Sequence, residues 1–373
     1  MTAVSPQIVS YDTVLDVEDG KTSDPVSLFV CGNPKMKFEG NVIDDESVSR
    51  HKMTIADGLR PLLVSMKVFG LYFDRRAEDA GDDPDKKSRR WSAYRIYAVA
   101  VVILLCLNSV RMLSVFTQGD TFGMILFMKL IIVIWNFQCF VSQAAFYAAS
   151  HSGRLALVFD QLLEDSCAKH SRKFSTFLAV AAWSIIMSSL AFFVYGLLFS
   201  GGSQDMMLAP FQVHIFISNP LIARIVACLV SFYFTAAYIF SQAITFVLAM
   251  IFSYEFKKVD KALENCLVNH HRRVPESDIE KFRQKHQEIA MTVSHVDDCL
   301  MFSNAAAFCC QVSNLIILLY MILFYHSLIT DPVFIVSYAF WLLILTFGLT
   351  LTAGSGIIVH HYVSKFVFIV FQS

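Results

Sequence analysis

Six long apolar runs constrain this chain more than anything else in it. They cover approximately residues 91–116, 122–149, 174–199, 222–252, 305–325 and 333–359. A helical span takes roughly 20 apolar residues, so each run is long enough to cross a bilayer. Strands of a membrane barrel would be runs of about 10 with alternating polarity, and these are neither. Only 16% of the residues are charged, and the mean hydropathy is +0.54. A soluble domain would carry about 25% charged residues, so this much apolar surface needs lipid as its solvent. The expectation is an all-α polytopic membrane protein with six transmembrane helices within 91–373, preceded by a segment 1–90. In the first 54 residues the only apolar patch is 26–31, too short for the core of a signal peptide. The first span is therefore expected to insert as its own anchor.

Orientation follows from where the basic residues sit. Arg75, Arg76, Lys86, Lys87, Arg89 and Arg90 precede the first span. Arg154, Lys169, Arg172 and Lys173 lie between the second and third. Lys257, Lys258, Lys261, Arg272, Arg273, Lys281, Arg283 and Lys285 lie between the fourth and fifth. All eighteen fall on one side, and the opposite loops 117–121, 200–221 and 326–332 hold none. Arg111, Lys129 and Arg224 lie at the margins, where long side chains can snorkel. The basic side, and with it the N-terminus, is expected to be cytoplasmic. None of the nine cysteines falls in an expected outer loop, so no disulfide is expected. There is no Asn-x-Ser/Thr sequon.

Residues 1–54 show no periodicity and read as largely disordered. Within 59–72, Leu62, Leu63, Met66, Phe69 and Gly70 fit one face of a short helix. Such a helix could lie in the membrane interface or pack on the cytoplasmic ends of the spans. Residues 74–90 read as a charged linker. The segment 253–301 is expected to extend the helices into the cytoplasm. Ser277 and Glu280, just after Pro275, form a capping-box pattern at a helix start. Beyond it Ile279, Phe282, His286, Ile289, Val293, Val296 and Leu300 recur in steps of three and four, a heptad-like stripe. One helix from about 278 to 325 would be roughly 72 Å long, against a hydrocarbon core of about 30 Å. Its stripe could pack on the same chain or around the axis of an oligomer.

Polar residues inside the spans either mark function or join helices. They include Asn136, Gln138, Ser142 and Gln143, then Ser241, Gln242 and Thr245, then Gln311, Ser313 and Asn314. Aromatic residues Phe193, Tyr195, Tyr233, Tyr320, Tyr325, Tyr338 and Trp341 fall toward the outer ends of the last four spans. They could form an interfacial belt or line a small-molecule pocket. Neighbouring His270 and His271, like His360 and His361, do not converge on one site, so no metal site or cofactor is expected. No phosphate-binding loop, nucleophile elbow or zinc-protease motif is present, and no enzymatic activity or nucleic-acid partner is expected.

Residues 283–324, RQKHQEIAMTVSHVDDCLMFSNAAAFCCQVSNLIILLYMILF, resemble the fifth-helix region of the insect and arthropod gustatory receptor family. His286, Ile289, Val293, Val296, Phe302, Phe308 and Tyr320 fill its pattern. The segment from Leu59-Arg60-Pro61-Leu62 to Phe69-Gly70-Leu71 looks like the family's segment before its first helix, and the inward N-terminus matches. The resemblance covers most of 59–350. The family has seven helices, its last ending in Thr-Tyr, five apolar residues and Gln-Phe. Here Gln372 and the five apolar residues match, while Lys365, Phe366 and Ser373 stand for Thr, Tyr and Phe. Phe366 and Gln372 are thus the remnant of a pore-end motif, without a complete seventh helix.

The resemblance implies a ligand-gated, non-selective cation channel subunit in the plasma membrane, in a homo- or hetero-tetramer with family members. A small-molecule tastant would bind in an outer pocket. Gln311 and Asn314 are the candidates for its floor, with Tyr233, Tyr320, Tyr338 and Trp341 for its walls. Ile279, Phe282, Ile289, Val293 and Val296 are the candidates for an oligomer anchor. An alternative is a non-conducting accessory subunit or an incomplete receptor. A G-protein-coupled receptor fits less well. It would have an outer N-terminus, an outer disulfide and an Asn-Pro-x-x-Tyr motif near its last span, whereas Asn219-Pro220 precedes the fourth span and is followed by Leu-Ile-Ala.

Overall fold

The computed structural model describes residues 53–73, 84–114, 116, 123–163, 165–198, 220–269, 276–324 and 332–372. The 1–52 segment read as disordered lies outside them. Eight helices appear in chain order: α1 (Ile55–Val68), α2 (Pro84–Leu113), α3 (Met124–His151), α4 (Arg154–Phe159), α5 (Asp165–Leu198), α6 (Pro220–Asn269), α7 (Glu276–Phe324) and α8 (Pro332–Gln372). A two-residue bridge pairs β1 (Met53–Thr54) antiparallel with β2 (Leu162–Leu163). Helices α2, α3, α5, α6, α7 and α8 are each long and apolar enough to cross a membrane. The protein is an all-α polytopic membrane protein.

Helix α1 packs inside the bundle rather than lying in an interface. Thr54 caps it: its hydroxyl accepts from the Asp57 backbone N–H, and the Asp57 carboxylate accepts from the Thr54 N–H at 3.0 Å. Ile55, Leu59, Leu62, Leu63 and Met66 are buried along one face. The helix ends in a Schellman turn, with Leu71 N–H donating to Met66 O (3.0 Å) and Gly70 N–H to Lys67 O (3.2 Å). That turn needs Gly70 at φ +68°. It also needs the missing side chain, since a Cβ would sit 3.2 Å from the Ala98 Cα. The tip then reaches the level of the spans. The Phe69 ring lies 5.1–5.9 Å from those of Trp183, Phe232, Tyr233 and Phe240. Gln143 of α3 donates to Gly70 O at 2.9 Å, and Trp183 Nε1 of α5 donates to Ser65 Oγ at 3.1 Å.

Two other expectations are corrected. Helix α2 begins at Pro84, so the second half of the charged segment 74–90 is helical. Proline suits a first helical position because its missing N–H has no intrahelical partner there. The capping box at Ser277 does not form. Ser277 lies inside α7, and the Glu280 carboxylate accepts two charge-assisted bonds from Arg283, at 2.7 and 2.8 Å.

Helices α6 and α7 hold 50 and 49 residues, about 75 and 73 Å at 1.5 Å per residue. Both therefore overrun a hydrocarbon core of about 30 Å. The heptad stripe packs on the chain itself: Ile289 is buried, and Phe282, Val293 and Val296 pack partly buried against the same core. Ile279 is half-buried.

Most polar groups in the spans join helices, as amides and hydroxyls do in lipid. Asn108 of α2 donates to Asn136 Oδ1 of α3 at 3.1 Å, and Arg111 donates to Asn108 Oδ1 at 3.0 Å. Ser303 of α7 donates to Ser142 of α3, and Thr245 of α6 to Asn304 of α7. Lys129 is buried in α3 rather than snorkelling to a surface.

Candidate functional site

Helices α3, α5, α6 and α8 enclose a cleft of about 20 Å³. Trp135 enters from α3, Ser189, Phe192 and Phe193 from α5, Thr235, Tyr238 and Ile239 from α6, and Phe340, Trp341 and Ile344 from α8. Trp135 lies about 17 Å along α3 from its start and Trp341 about 14 Å along α8, so the cleft is set inside the helix ends on both. The walls are held by ring contacts. Trp135 and Trp341 meet edge to face at 5.2 Å, and Trp135 lies 6.1 Å from Phe234. The Phe192 and Phe340 ring centroids lie 6.4 Å apart, their planes tilted by 30°.

Behind the cleft lies a polar network, and Tyr238 belongs to both. Its hydroxyl accepts from Gln311 Nε2 of α7 at 3.3 Å. Thr352 of α8 donates to Gln242 Oε1 of α6 and lies 3.4 Å from Gln311 Oε1. Gly348 of α8 makes this approach possible: a Cβ there would stand 2.2 Å from the Tyr238 hydroxyl and 2.9 Å from Gln311 Nε2. One hydroxyl thus ties the cleft on α6 to the long helix α7 and to α8.

Of the six pocket candidates, Trp341 lines the cleft and Gln311 supports it from behind through Tyr238. Asn314 is fully buried one turn along α7, and neither amide atom has a hydrogen-bond partner among the described residues. Tyr338 is buried beside the cleft with Met128, Ile131, Leu318, Met321 and Leu345, its hydroxyl donating to Leu318 O. Tyr320 stacks near Phe127 (5.0 Å) and Phe324 (4.5 Å), away from the cleft. Tyr233 does not lie toward the outer ends. Its hydroxyl meets that of Tyr97 at 3.0 Å, near the basic end of α2, with its ring against Phe69. Adjacent positions on α6 face different ways, so Tyr233 points to α1 and Thr235 and Tyr238 to the cleft. The side chains of Phe366 and Gln372 lie outside the described residues. Sequence reasoning missed Trp135, Ser189, Thr235, Tyr238 and Phe340 as lining residues. The sequence carries no signal that separates them from the many other aromatic and hydroxyl residues of the spans.

Comparison with the models of known protein families finds no match, and comparison with curated proteins finds none either.

Proposed function

We propose that this chain is a subunit of a ligand-gated, non-selective cation channel of the gustatory-receptor type, sensing small molecules from the plasma membrane. It is oriented with its basic side and N-terminus in the cytoplasm and works as a homo- or hetero-tetramer. One observation carries the reading: the aromatic cleft shares Tyr238 with a polar network joining α6, α7 and α8. A ligand site needs a way to bias distant helices, and this hydroxyl offers one. At about 20 Å³ the cleft is closed, whereas small-molecule pockets run to about 300 Å³ or more. Binding must therefore separate its walls, and a ligand that binds only the widened form shifts the population towards it. The sequence resemblance at 283–324 supports the same reading.

A second reading, a non-conducting accessory subunit, is favoured by the unbroken course of α8 from Pro332 to Gln372 where the family's pattern has two helices. Whole-cell recording during a tastant screen, with the chain alone and with a complete family member, separates the two. Ligand-evoked cation current from the chain alone supports the channel. Silence alone with altered currents in the partner supports the accessory subunit. A surface-expressed chain that neither conducts nor alters the partner's currents sinks both.

A further inference from the structure

We propose that the cleft selects uncharged, flat, largely apolar molecules carrying a hydrogen-bond acceptor, and rejects polyols and ions. This rests on the reading of the cleft as a ligand site, and names the class of ligand it takes. Seven of its ten lining residues are aromatic or aliphatic rather than hydroxyl-bearing, and none is charged. An ion would lose its hydration there with no opposite charge to replace it.

Three lining residues carry hydroxyls, and two already give their protons within the protein. Thr235 donates to Ser231 O at 2.9 Å. Tyr238 donates to Ile344 O at 3.5 Å while accepting from Gln311. Ser189, 7% exposed, has no hydrogen-bond partner among the described residues, so it is the one hydroxyl at the cleft whose proton is not already given, beside the indole N–H groups of Trp135 and Trp341. A polyol with four or five hydroxyls would leave most of them unpaired, each costing about tenfold in affinity. A single carbonyl on Ser189 leaves none.

Flatness follows from the walls. A ring stacked between two others needs them about 7 Å apart, two contacts of about 3.5 Å. The Phe192 and Phe340 ring centroids lie 6.4 Å apart, with their planes tilted by 30°. A planar molecule therefore needs less separation of the walls than a puckered sugar ring.

The test uses the full chain purified into lipid nanodiscs, with thermal stability read against ligand concentration. The probes are coumarin and acetophenone (neutral, flat, one carbonyl), fructose (a polyol) and benzoate (flat but charged). Empty nanodiscs control for partition into lipid. The expected result is saturable stabilisation by the two carbonyl compounds, with fructose and benzoate at least about 100-fold weaker. Ser189→Ala should weaken the carbonyl compounds about fivefold to tenfold, and Ile344→Trp, which fills the cleft, should abolish their effect. Tighter binding of fructose or benzoate would overturn the class, as would carbonyl binding that both variants leave unchanged, or none at all. Because binding is read without current, the two failures separate. A chain that conducts but prefers fructose keeps the receptor reading and loses this one. A chain that binds coumarin but never alters a current does the reverse.

Discussion

Individual residues decide how the cleft speaks to the rest of the bundle, and Tyr238 with Gly348 is the sharpest case. Tyr238→Phe keeps the ring in the cleft wall but removes the oxygen that Gln311 donates to. Ligand binding should persist within about threefold while evoked current falls at least tenfold. A loss of binding instead would make the hydroxyl part of the ligand contact. Gly348→Ala should cost about 1–3 kcal/mol of stability, because its Cβ would stand 2.2 Å from the Tyr238 oxygen. That cost should shrink in the Tyr238→Phe background, where the ring carbon at 3.2 Å becomes the nearest atom of that residue. A double-mutant cycle of thermal stabilities measures it, and additive costs would rule out the contact. Gln311 was legible as a buried amide on an apolar helix, since such a group must find a partner. Tyr238 was not, because it sits among many aromatic residues on α6 and only the packing shows which one meets an amide.

Elements show the same division between pattern and partner. The face of α1 was readable from Leu62, Leu63 and Met66, but its depth was not. The same stripe suits a membrane surface or a protein groove, and only Phe69 among four aromatic rings settles it. The start of α1 was also in the sequence as Thr54-x-x-Asp57, a capping pattern hidden in a stretch read as irregular. Asp57 sits below its ordinary carboxylate value of 3.8. The Thr54 backbone N–H is the main cause, and the Thr54 hydroxyl, Arg60 and Arg172 add to it. The folded state therefore favours the ionised form. The cap's contribution is full above the ordinary value and is lost as pH falls through the lowered one. Asp57→Ala should cost about 1 kcal/mol at pH 6 and progressively less as pH falls below 3.8, as read from nanodisc melting curves. A difference that stays constant across that range would remove Asp57 from the cap.

The whole molecule was legible to the extent that a bilayer dictates it. Six runs of apolar residues gave six membrane helices, because no other element satisfies a lipid-exposed backbone without closing a barrel. How the helices meet was not legible, since lipid tails and neighbouring side chains reward the same residues. The α7 stripe illustrates this. Ile289 is buried on the chain's own core and Val293 packs against it, so a charge there strikes the subunit itself. Ile289→Asp should lower the yield of folded chain, whereas Met291→Asp, on the exposed face, should leave it unchanged. Only the second kind of variant can report on neighbouring subunits. The crossing number itself carries the last prediction. Six crossings return the chain to the side on which it started, so an epitope before α1 and one after His361 should face the same way. Under the orientation proposed from the eighteen flanking basic residues, that side is the cytoplasm. In intact cells neither epitope should stain, in permeabilised cells both should, and a tag at 270–275 should behave like them. Staining of the later epitope alone in intact cells would mean that α8 does not cross as one helix, and that the segment following Ser355 turns back through the bilayer.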